Sequence, residues 1–168
     1  MPNRPMAPDV AGFRTDAGIE VSAVTADQMR EIDRVAVEET GPNLMQMMEN
    51  AGRTLAEFAL PRVEKPAARS AVVVLAGTGG NGGGGIAAAR HLASRVGDLI
   101  LCVTDVAGLS PAARAQLAIF RHGAGREVPA AALNGTRPDL VVDAVLGYGL
   151  SGAPRGAARE LIEWAGNA

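Results

Sequence analysis

The chain of 168 residues is 48% hydrophobic and 20% charged, which fits one compact globular domain. Its formal net charge of -2 excludes the strongly basic surface of a dedicated nucleic-acid-binding protein. The single cysteine, Cys102, excludes an intramolecular disulfide framework and a cysteine-rich zinc site. Cys102 lies in an apolar run, which predicts a buried side chain and not a reactive thiol.

No uninterrupted apolar stretch approaches the ~20 residues that cross a bilayer. The first residues contain prolines and charges where a signal peptide has an apolar segment. We therefore expect a cytoplasmic protein that has neither a nucleic acid nor a membrane as its partner. Residues 1–21 show no sustained periodicity, so we expect a flexible N-terminal arm there and one domain over residues 22–168.

Two amphipathic helices are predicted before the first strand of the main sheet. Residues 25–28 match a capping box, in which Thr25 and Gln28 satisfy each other's backbone amides at a helix start. Gly41-Pro42 ends this helix. Apolar residues at helical spacing from Leu44 to Phe58 predict the second helix.

A strand, a glycine run and a helix follow one another in the middle of the chain. Residues Ala71–Ala76 are apolar and rich in valine, which predicts a strand buried inside a parallel sheet. We expect a loop over Gly77–Gly85 and a helix from Ile86. Such a loop lets backbone amides approach a phosphate beside the helix N-terminus. The G-x-G-x-x-G match within it is weak in a glycine-rich chain, so a turn without a ligand is the alternative.

The rest of the chain alternates strands with helices. The predicted strands are 98–104, a weak one near 127–128, and 139–146, and the predicted helices are 110–120 and 155–164. This alternation predicts right-handed crossovers and a parallel, doubly wound sheet. Glycine-containing loops follow Leu75 and Leu146, at the carboxyl ends of two strands, where ligands bind in such sheets.

Two side chains at these strand ends are candidates for chemistry. Asn81 can bind a ligand through its carbonyl oxygen, or it can cap the following helix. Asp143 lies near the end of an apolar strand, where an isolated carboxylate is costly unless it is paired, solvated or bound to a cation. If the two converge, their oxygen atoms suit a hard cation and not zinc.

The ordered motifs in residues 29–33, 44–52, 74–92 and 139–152 resemble the YjeF N-terminal domain, the family of NAD(P)H-hydrate epimerases. The resemblance implies a Rossmann-like three-layer α/β/α fold with a mostly parallel sheet, preceded by two N-terminal helices. It also implies an isomerase that interconverts the R and S epimers of NADHX and NADPHX, the hydrated forms of reduced nicotinamide cofactors. A separate dehydratase uses the S form, which implies a functional link to that enzyme.

The resemblance also implies the site residues. Asn81 and Asp143 correspond to the positions at a potassium ion, and Asp143 is the implied acid/base group. The implied substrate-binding residues, in two loops, are Gly80, Asn81, Gly82, Gly83, Gly84, Gly147, Tyr148, Gly149, Leu150, Ser151, Gly152 and Ala153.

The sequence departs from the family's pattern at three places. Gly80 stands where the family usually has asparagine and Gly84 where it has aspartate, which leaves backbone amides as the binding groups. The family's further strand with D-x-P-S-G has no counterpart before Ala168. We therefore expect a homodimer, another partner or the N-terminal arm to cover an open sheet edge.

Two other functions remain open at this point. The departures favour a non-catalytic binding or scaffold domain with reduced or no epimerase activity. The glycine motif and Asp105, which follows the second strand where a ribose-binding carboxylate belongs, favour a dinucleotide oxidoreductase. The two helices before the first strand disfavour an oxidoreductase.

Overall fold

The computed structural model describes residues 12–168, and the chain divides between Asn43 and Leu44 into two compact units. Residues 1–11, half of the predicted arm, lie outside the described residues. The other half contains a short antiparallel hairpin of β1 (Gly12–Arg14) and β2 (Glu20–Ser22), which the sequence did not predict. The predicted domain begins at residue 22, whereas the structure places the division after Asn43.

The first unit also contains helix α1 (Ala26–Val35), which begins at the predicted capping box. The Thr25 hydroxyl accepts a hydrogen bond from Gln28 N at 3.2 Å, and Gln28 Oε1 accepts one from Thr25 N at 2.8 Å. Two backbone donors that a helix start leaves unpaired are thereby satisfied. A π-helical turn over Ala36–Thr40 follows.

The second unit is built on a four-stranded sheet in which every pairing is parallel. Its strands are β3 (Ala71–Ala76), β4 (Asp98–Val103), β5 (Arg126–Glu127) and β6 (Leu140–Ala144). Their spatial order is β5-β4-β3-β6. The chain therefore builds the sheet outward from β3 in one direction, and then returns to add β6 on the other side of β3.

Four helices cover the two faces of this sheet. They are α2 (Leu44–Ala59), α3 (Gly80–Ala93), α4 (Pro111–Phe120) and α5 (Gly156–Ala165). Val72 and Val74 of β3 face a core shared with α2, α3 and α4, while Val73 and Leu75 face a core with Leu161 of α5. The predicted three-layer α/β/α fold is thus confirmed, and β3 is buried on both faces as predicted.

The prediction of a loop over Gly77–Gly85 is wrong for most of that run. Only residues 77–79 form the loop, and α3 begins at Gly80. Glycine disfavours a helix by about 1 kcal/mol per residue relative to alanine, which is why the sequence indicated a loop. The packing of α3 against its neighbours outweighs this preference.

Close contacts show why glycines are needed inside α3. A Cβ atom on Gly82 would lie 1.9 Å from the carbonyl oxygen of Gly77, and one on Gly85 would lie 2.4 Å from Ala144 Cβ. Both distances are far below van der Waals contact. The glycines therefore let the helix lie directly against the loop after β3 and against β6.

Cys102 is fully buried in β4, as predicted. Burial, and to a lesser degree the negative charge of Glu127, raise the pKa of its thiol to about 11. Within residues 12–168, no helix combines the length and the apolar character needed to cross a membrane.

Candidate functional site

The order of the strands creates a crevice beside β3. The chain connects β3 to β4 on one side and adds β6 on the other, so the loops that follow β3 and β6 diverge from a shared sheet edge. Open α/β sheets bind ligands at such a switch point, outside the carboxyl ends of the strands. We call this place the β3–β6 crevice; it is formed by residues 77–79 with the start of α3, and by residues 145–155.

Backbone contacts hold the two sides of the crevice together at its base. Gly77 N donates a hydrogen bond to Ala144 O at 3.1 Å. A Cβ atom on Gly77 would lie 2.0 Å from the carbonyl oxygen of Val145. Glycine is therefore required at this position for the loops to approach so closely.

The N-terminus of α3 presents unpaired amides to one side of the crevice. Gly79 is the N-cap residue and has no side chain with which to satisfy them. Gly83 N donates to Gly79 O at 3.0 Å, which leaves Gly80, Asn81 and Gly82 as the helical residues whose amides have no intrahelical partner. Together with the helix dipole, these amides favour an anion such as a phosphate.

The structure separates the five consecutive residues 80–84 that the resemblance assigned to the dinucleotide. Gly80 and Asn81 are exposed, whereas Gly82 and Gly83 are buried. A Cβ atom on Gly83 would lie 2.7 Å from the Met48 sulfur, so this residue faces α2. Geometry thus supports a ligand contact at the first turn of α3 and gives no support to one at Gly83.

Asn81 reaches across the crevice. Its Nδ2 donates a hydrogen bond to Leu146 O at 2.6 Å, and its Cβ would lie 3.1 Å from a Cβ atom on Gly147. Because the amide nitrogen is used in this way, the Oδ1 atom remains as an acceptor or cation ligand.

Asp143 lies on β6 opposite Leu75 of β3, and it is exposed. Its Oδ1 accepts a hydrogen bond from Val145 N at 2.9 Å. Exposure removes the desolvation cost that an isolated carboxylate would have inside the sheet. Asp143 thus bonds to the backbone of Val145, and Asn81 bonds to the backbone of the next residue, Leu146. The two side chains therefore meet at one turn.

The loop after β6 supplies the other predicted ligand contacts, and residues 147–153 are all exposed. Leu150 N donates to Gly147 O at 3.2 Å, which closes a turn at the crevice. Tyr148 and Leu150 are 52% and 51% exposed, so two large apolar side chains remain accessible there. The predicted strand 139–146 ends earlier, at Ala144, because the Asp143 side chain bonds to Val145 N and starts the loop.

A third loop, residues 104–110 after β4, adjoins the crevice. Ser110 N donates to Thr78 O at 3.0 Å and thereby ties this loop to the one after β3. Sequence reasoning did not select Thr78, since a single threonine in a glycine run has no distinctive signal.

The side-chain atoms at the crevice that could bind a cation are oxygens. Asn81 Oδ1 and the Asp143 carboxylate are ligands of the kind that hard cations take. Across the described range 12–168, no group of three or more His, Cys, Asp or Glu side chains is placed to hold a metal ion.

The model of the family described as YjeF-related protein N-terminus matches residues 44–168 of this chain. The chain belongs to this family. The matched region coincides with the second compact unit and contains the whole crevice.

Curated members of the family include close relatives. The NAD(P)H-hydrate epimerase of Dehalogenimonas lykanthroporepellens is 49% identical over 157 residues, covering 92% of this chain and 64% of that protein. The bifunctional NAD(P)H-hydrate repair enzyme Nnr of Hyperthermus butylicus is 39% identical and covers 84% of this chain and 27% of its own length. The chain therefore spans less than two thirds of the length of these relatives.

A solved structure shares the fold. The crystal structure of the yeast protein YNL200c superposes with a TM-score of 0.74 at 21% sequence identity, over 88% of this chain and 67% of the yeast chain. At this identity the likeness bears on the fold alone, and it agrees with the three-layer arrangement of the family.

Proposed function

We propose that this chain is an NAD(P)H-hydrate epimerase, which interconverts the R and S epimers of NADHX and NADPHX. One observation carries the proposal: the amide-bearing N-terminus of α3 and the exposed carboxylate of Asp143 meet at the β3–β6 crevice through the turn at residues 145–146. The names of the curated relatives support the same activity.

The first turn of α3 binds the diphosphate of the substrate in this proposal. The amides of Gly80, Asn81 and Gly82 have no intrahelical partner, and the positive end of the helix dipole favours the charge of the diphosphate. Gly80 and Gly84 bring no side-chain contacts, so the backbone carries this part of the binding.

Asp143 acts as the general acid/base at the hydrated carbon of the nicotinamide ring. Its Oδ1 is held by Val145 N, which fixes the orientation of the carboxyl group, and Oδ2 remains to hold or move a proton. The hydrogen bond from Asn81 to Leu146 O fixes the adjoining backbone. The exposed Tyr148 and Leu150 provide apolar surface for the ring of the substrate.

A potassium ion belongs to the proposal as a bound cation. Asn81 Oδ1 and the Asp143 carboxylate would hold it, because both are hard oxygen donors at the same turn. When bound, the ion supplies positive charge beside the diphosphate and the acid/base group.

The proposal extends to partners and location. Within the described sheet, β6 has a neighbour on one side alone, which leaves an edge for a homodimer or another partner to cover. The bifunctional repair enzymes among the relatives support a functional link to a second repair activity, which we propose is the dehydratase that uses the S epimer. We propose the cytoplasm as the location.

The test is direct conversion of a single epimer. The purified chain is incubated with R-NADHX, and formation of the S epimer is followed by chromatography beside a reaction without protein. We expect S-NADHX to form until the two epimers reach equilibrium. An uncatalysed rate with intact protein would contradict the proposal, and tight binding of NADHX without conversion would favour the scaffold function.

A further inference from the structure

Asp105 follows the end of β4 and takes no part in the proposed mechanism. It is exposed, and it lies on the side of β3 opposite to β6. β4 pairs with β3 in register up to Ala76 and Val103, so the two strands end at the same level. Asp105 therefore adjoins the crevice at the end remote from Asp143.

The loop after β4 holds the Asp105 carboxylate in one place. Its Oδ1 accepts a hydrogen bond from Ala107 N at 2.9 Å. A Cβ atom on Gly108 would lie 2.6 Å from its Oδ2, so the carboxylate keeps this position because residue 108 is glycine. Arg114 of α4 donates through Nη2 to Ala107 O at 2.9 Å and to Leu109 O at 3.3 Å, which anchors the loop.

This carboxylate also lies beside the loop that leads into α3. A Cβ atom on Gly108 would lie 3.4 Å from Thr78 Cγ2, and Ser110 N bonds to Thr78 O. Thr78 is two residues before the start of α3, where the proposed function places the substrate diphosphate. Asp105 is thus next to the diphosphate site on the β4 side.

The geometry of the sheet decides which part of the substrate meets Asp105. Neighbouring strands lie ~4.8 Å apart, so Asp105 and the loop after β6 are separated by about two strand spacings. A dinucleotide whose diphosphate binds at α3 and whose nicotinamide ring lies beside Asp143 extends its adenosine half over β4. In that position a carboxylate accepts hydrogen bonds from ribose hydroxyls and repels a phosphate at the 2′ position.

We infer that Asp105 binds the adenosine ribose and makes the site selective for NADHX over NADPHX. This inference rests on the proposed epimerase function. It gives a different role to the residue that favoured an oxidoreductase in the sequence. Arg114, a nearby positive charge on α4, donates through Nη2 to two backbone carbonyls of the loop and so anchors the loop.

The test compares kcat/KM for NADHX and NADPHX in the wild-type chain and in Asp105→Asn. We expect the wild-type chain to prefer NADHX by roughly tenfold or more, the size that repulsion between like charges near a surface produces. Asp105→Asn removes the charge and keeps the shape, so the preference falls to about twofold or less, mainly through a lower KM for NADPHX.

Asp98→Asn is the matched control. Asp98 is the first residue of β4, at the end of the strand remote from Asp105, where it pairs with Arg126 at 2.7 Å. The control makes the same charge change, and we expect it to keep the preference of the wild-type chain. A lowered preference in both variants would overturn the local role of Asp105.

A second variant tests the position of the carboxylate while its charge is kept. Gly108→Ala places a methyl group 2.6 Å from the present position of Asp105 Oδ2, which forces the carboxylate to move, and the backbone at residue 108 accepts alanine. We expect an intermediate preference for NADHX and an unchanged kcat.

The outcomes separate this inference from the proposed function. Epimerisation of both substrates at equal kcat/KM in the wild-type chain, or a preference for NADPHX, overturns the role of Asp105 and leaves the epimerase function intact. No epimerisation of either substrate overturns the proposed function. In that event, calorimetry still tests the selectivity, by measuring the affinities of the wild-type chain and of Asp105→Asn for ADP-ribose and for its 2′-phosphate. If each protein binds the two ligands with equal affinity, the role of Asp105 is overturned.

Discussion

Asn81 donates a hydrogen bond through Nδ2 to the carbonyl oxygen of Leu146 at 2.6 Å, which joins the first turn of α3 to the loop after β6. This bond crosses the crevice between two elements that are distant in sequence. In the same turn, Val145 N donates a hydrogen bond to the Asp143 carboxylate. The proposed diphosphate site and the proposed acid/base group are therefore fixed relative to each other by one short backbone segment.

Replacement of Asn81 by alanine removes the bond across the crevice. We expect the free energy of unfolding to fall by about 1 kcal/mol, the usual net contribution of a single hydrogen bond. Because the two sides of the site lose their fixed spacing, epimerisation slows by roughly tenfold to 100-fold. Thermal unfolding and the epimer assay measure the two effects.

Asn167→Ala is a matched control for this variant. Asn167 Nδ2 donates to Glu163 O at 2.7 Å at the end of α5, which is also an exposed bond from an amide to a carbonyl. We expect Asn167→Ala to lose a comparable free energy of unfolding and to keep the activity of the wild-type chain. Equal activity losses in the two variants would refute a specific role for Asn81.

Asp143→Asn tests the acid/base group. Asparagine can still accept the hydrogen bond from Val145 N, so the thermal midpoint stays near that of the wild-type chain. The side chain no longer transfers a proton, and we expect the epimerisation rate to fall by about 100-fold to 10,000-fold. Wild-type turnover in this variant would remove Asp143 from the mechanism.

Asp139→Asn controls for the loss of a charge near the same strand. Asp139 precedes the opposite end of β6, where it accepts from Ala71 N at 2.9 Å and pairs with Lys65 at 2.5 Å. Lys65 and, secondarily, the Ala71 amide lower the pKa of this carboxyl group. This variant is expected to lose some stability at neutral pH and to keep its catalytic rate.

The glycines of α3 differ in the space around them, and alanine substitutions at the adjacent residues Gly84 and Gly85 test this difference. A Cβ atom on Gly84 would have its nearest neighbour, Ala51 Cβ, at 4.0 Å, whereas one on Gly85 would lie 2.4 Å from Ala144 Cβ. Gly84→Ala raises the free energy of unfolding by up to about 1 kcal/mol through helix propensity. Gly85→Ala lowers it by about 1–3 kcal/mol through overpacking. Urea unfolding of the pair checks both signs, and a stabilised Gly85→Ala would contradict the packing of α3 on β6.

The same glycines show what the sequence revealed and what it did not. The pattern of Ala71–Ala76 depends on local composition, and it predicted β3 with its correct ends. The helical state of residues 80–85 depends instead on backbone contacts with Gly77 and on Ala144, which is distant in sequence. A glycine run in a helix and a glycine run in a loop have the same local composition. Only the packing between segments that are distant in sequence distinguishes them.

The candidate site was predictable in part for the same physical reason. Strand ends are visible in a sequence, so Asn81 and Asp143 were both placed at the crevice edge of the sheet. Their shared turn at residues 145–146 was not visible, because it depends on side-chain hydrogen bonds to the backbone. The hairpin of residues 12–22 was missed because its strands have three residues each, too few for a periodic pattern.

Cys102 makes the stability sensitive to alkaline pH. Its pKa is about 11 in the folded chain, raised by burial from the value of 9.0 that an accessible thiol has. Between these values the unfolded chain loses the proton first, so the contribution of Cys102 to stability is intact below pH 9 and decreases as the pH rises toward 11. Unfolding free energies at several pH values, in the wild-type chain and in Cys102→Ala, isolate this effect. If the two chains show parallel pH profiles, the thiol is not responsible.

The most direct test of binding at the β3–β6 crevice is a nuclear magnetic resonance titration of the ¹⁵N-labelled chain with NADHX or, as a stable analogue, ADP-ribose. The account predicts that amide signals of residues 79–82 and of residues 147–152 shift together along one binding curve, while those of the opposite sheet edge, such as Asp98, stay in place. Shifts in only one of these two segments, or in neither, would show that α3 and the loop after β6 do not form a common binding site.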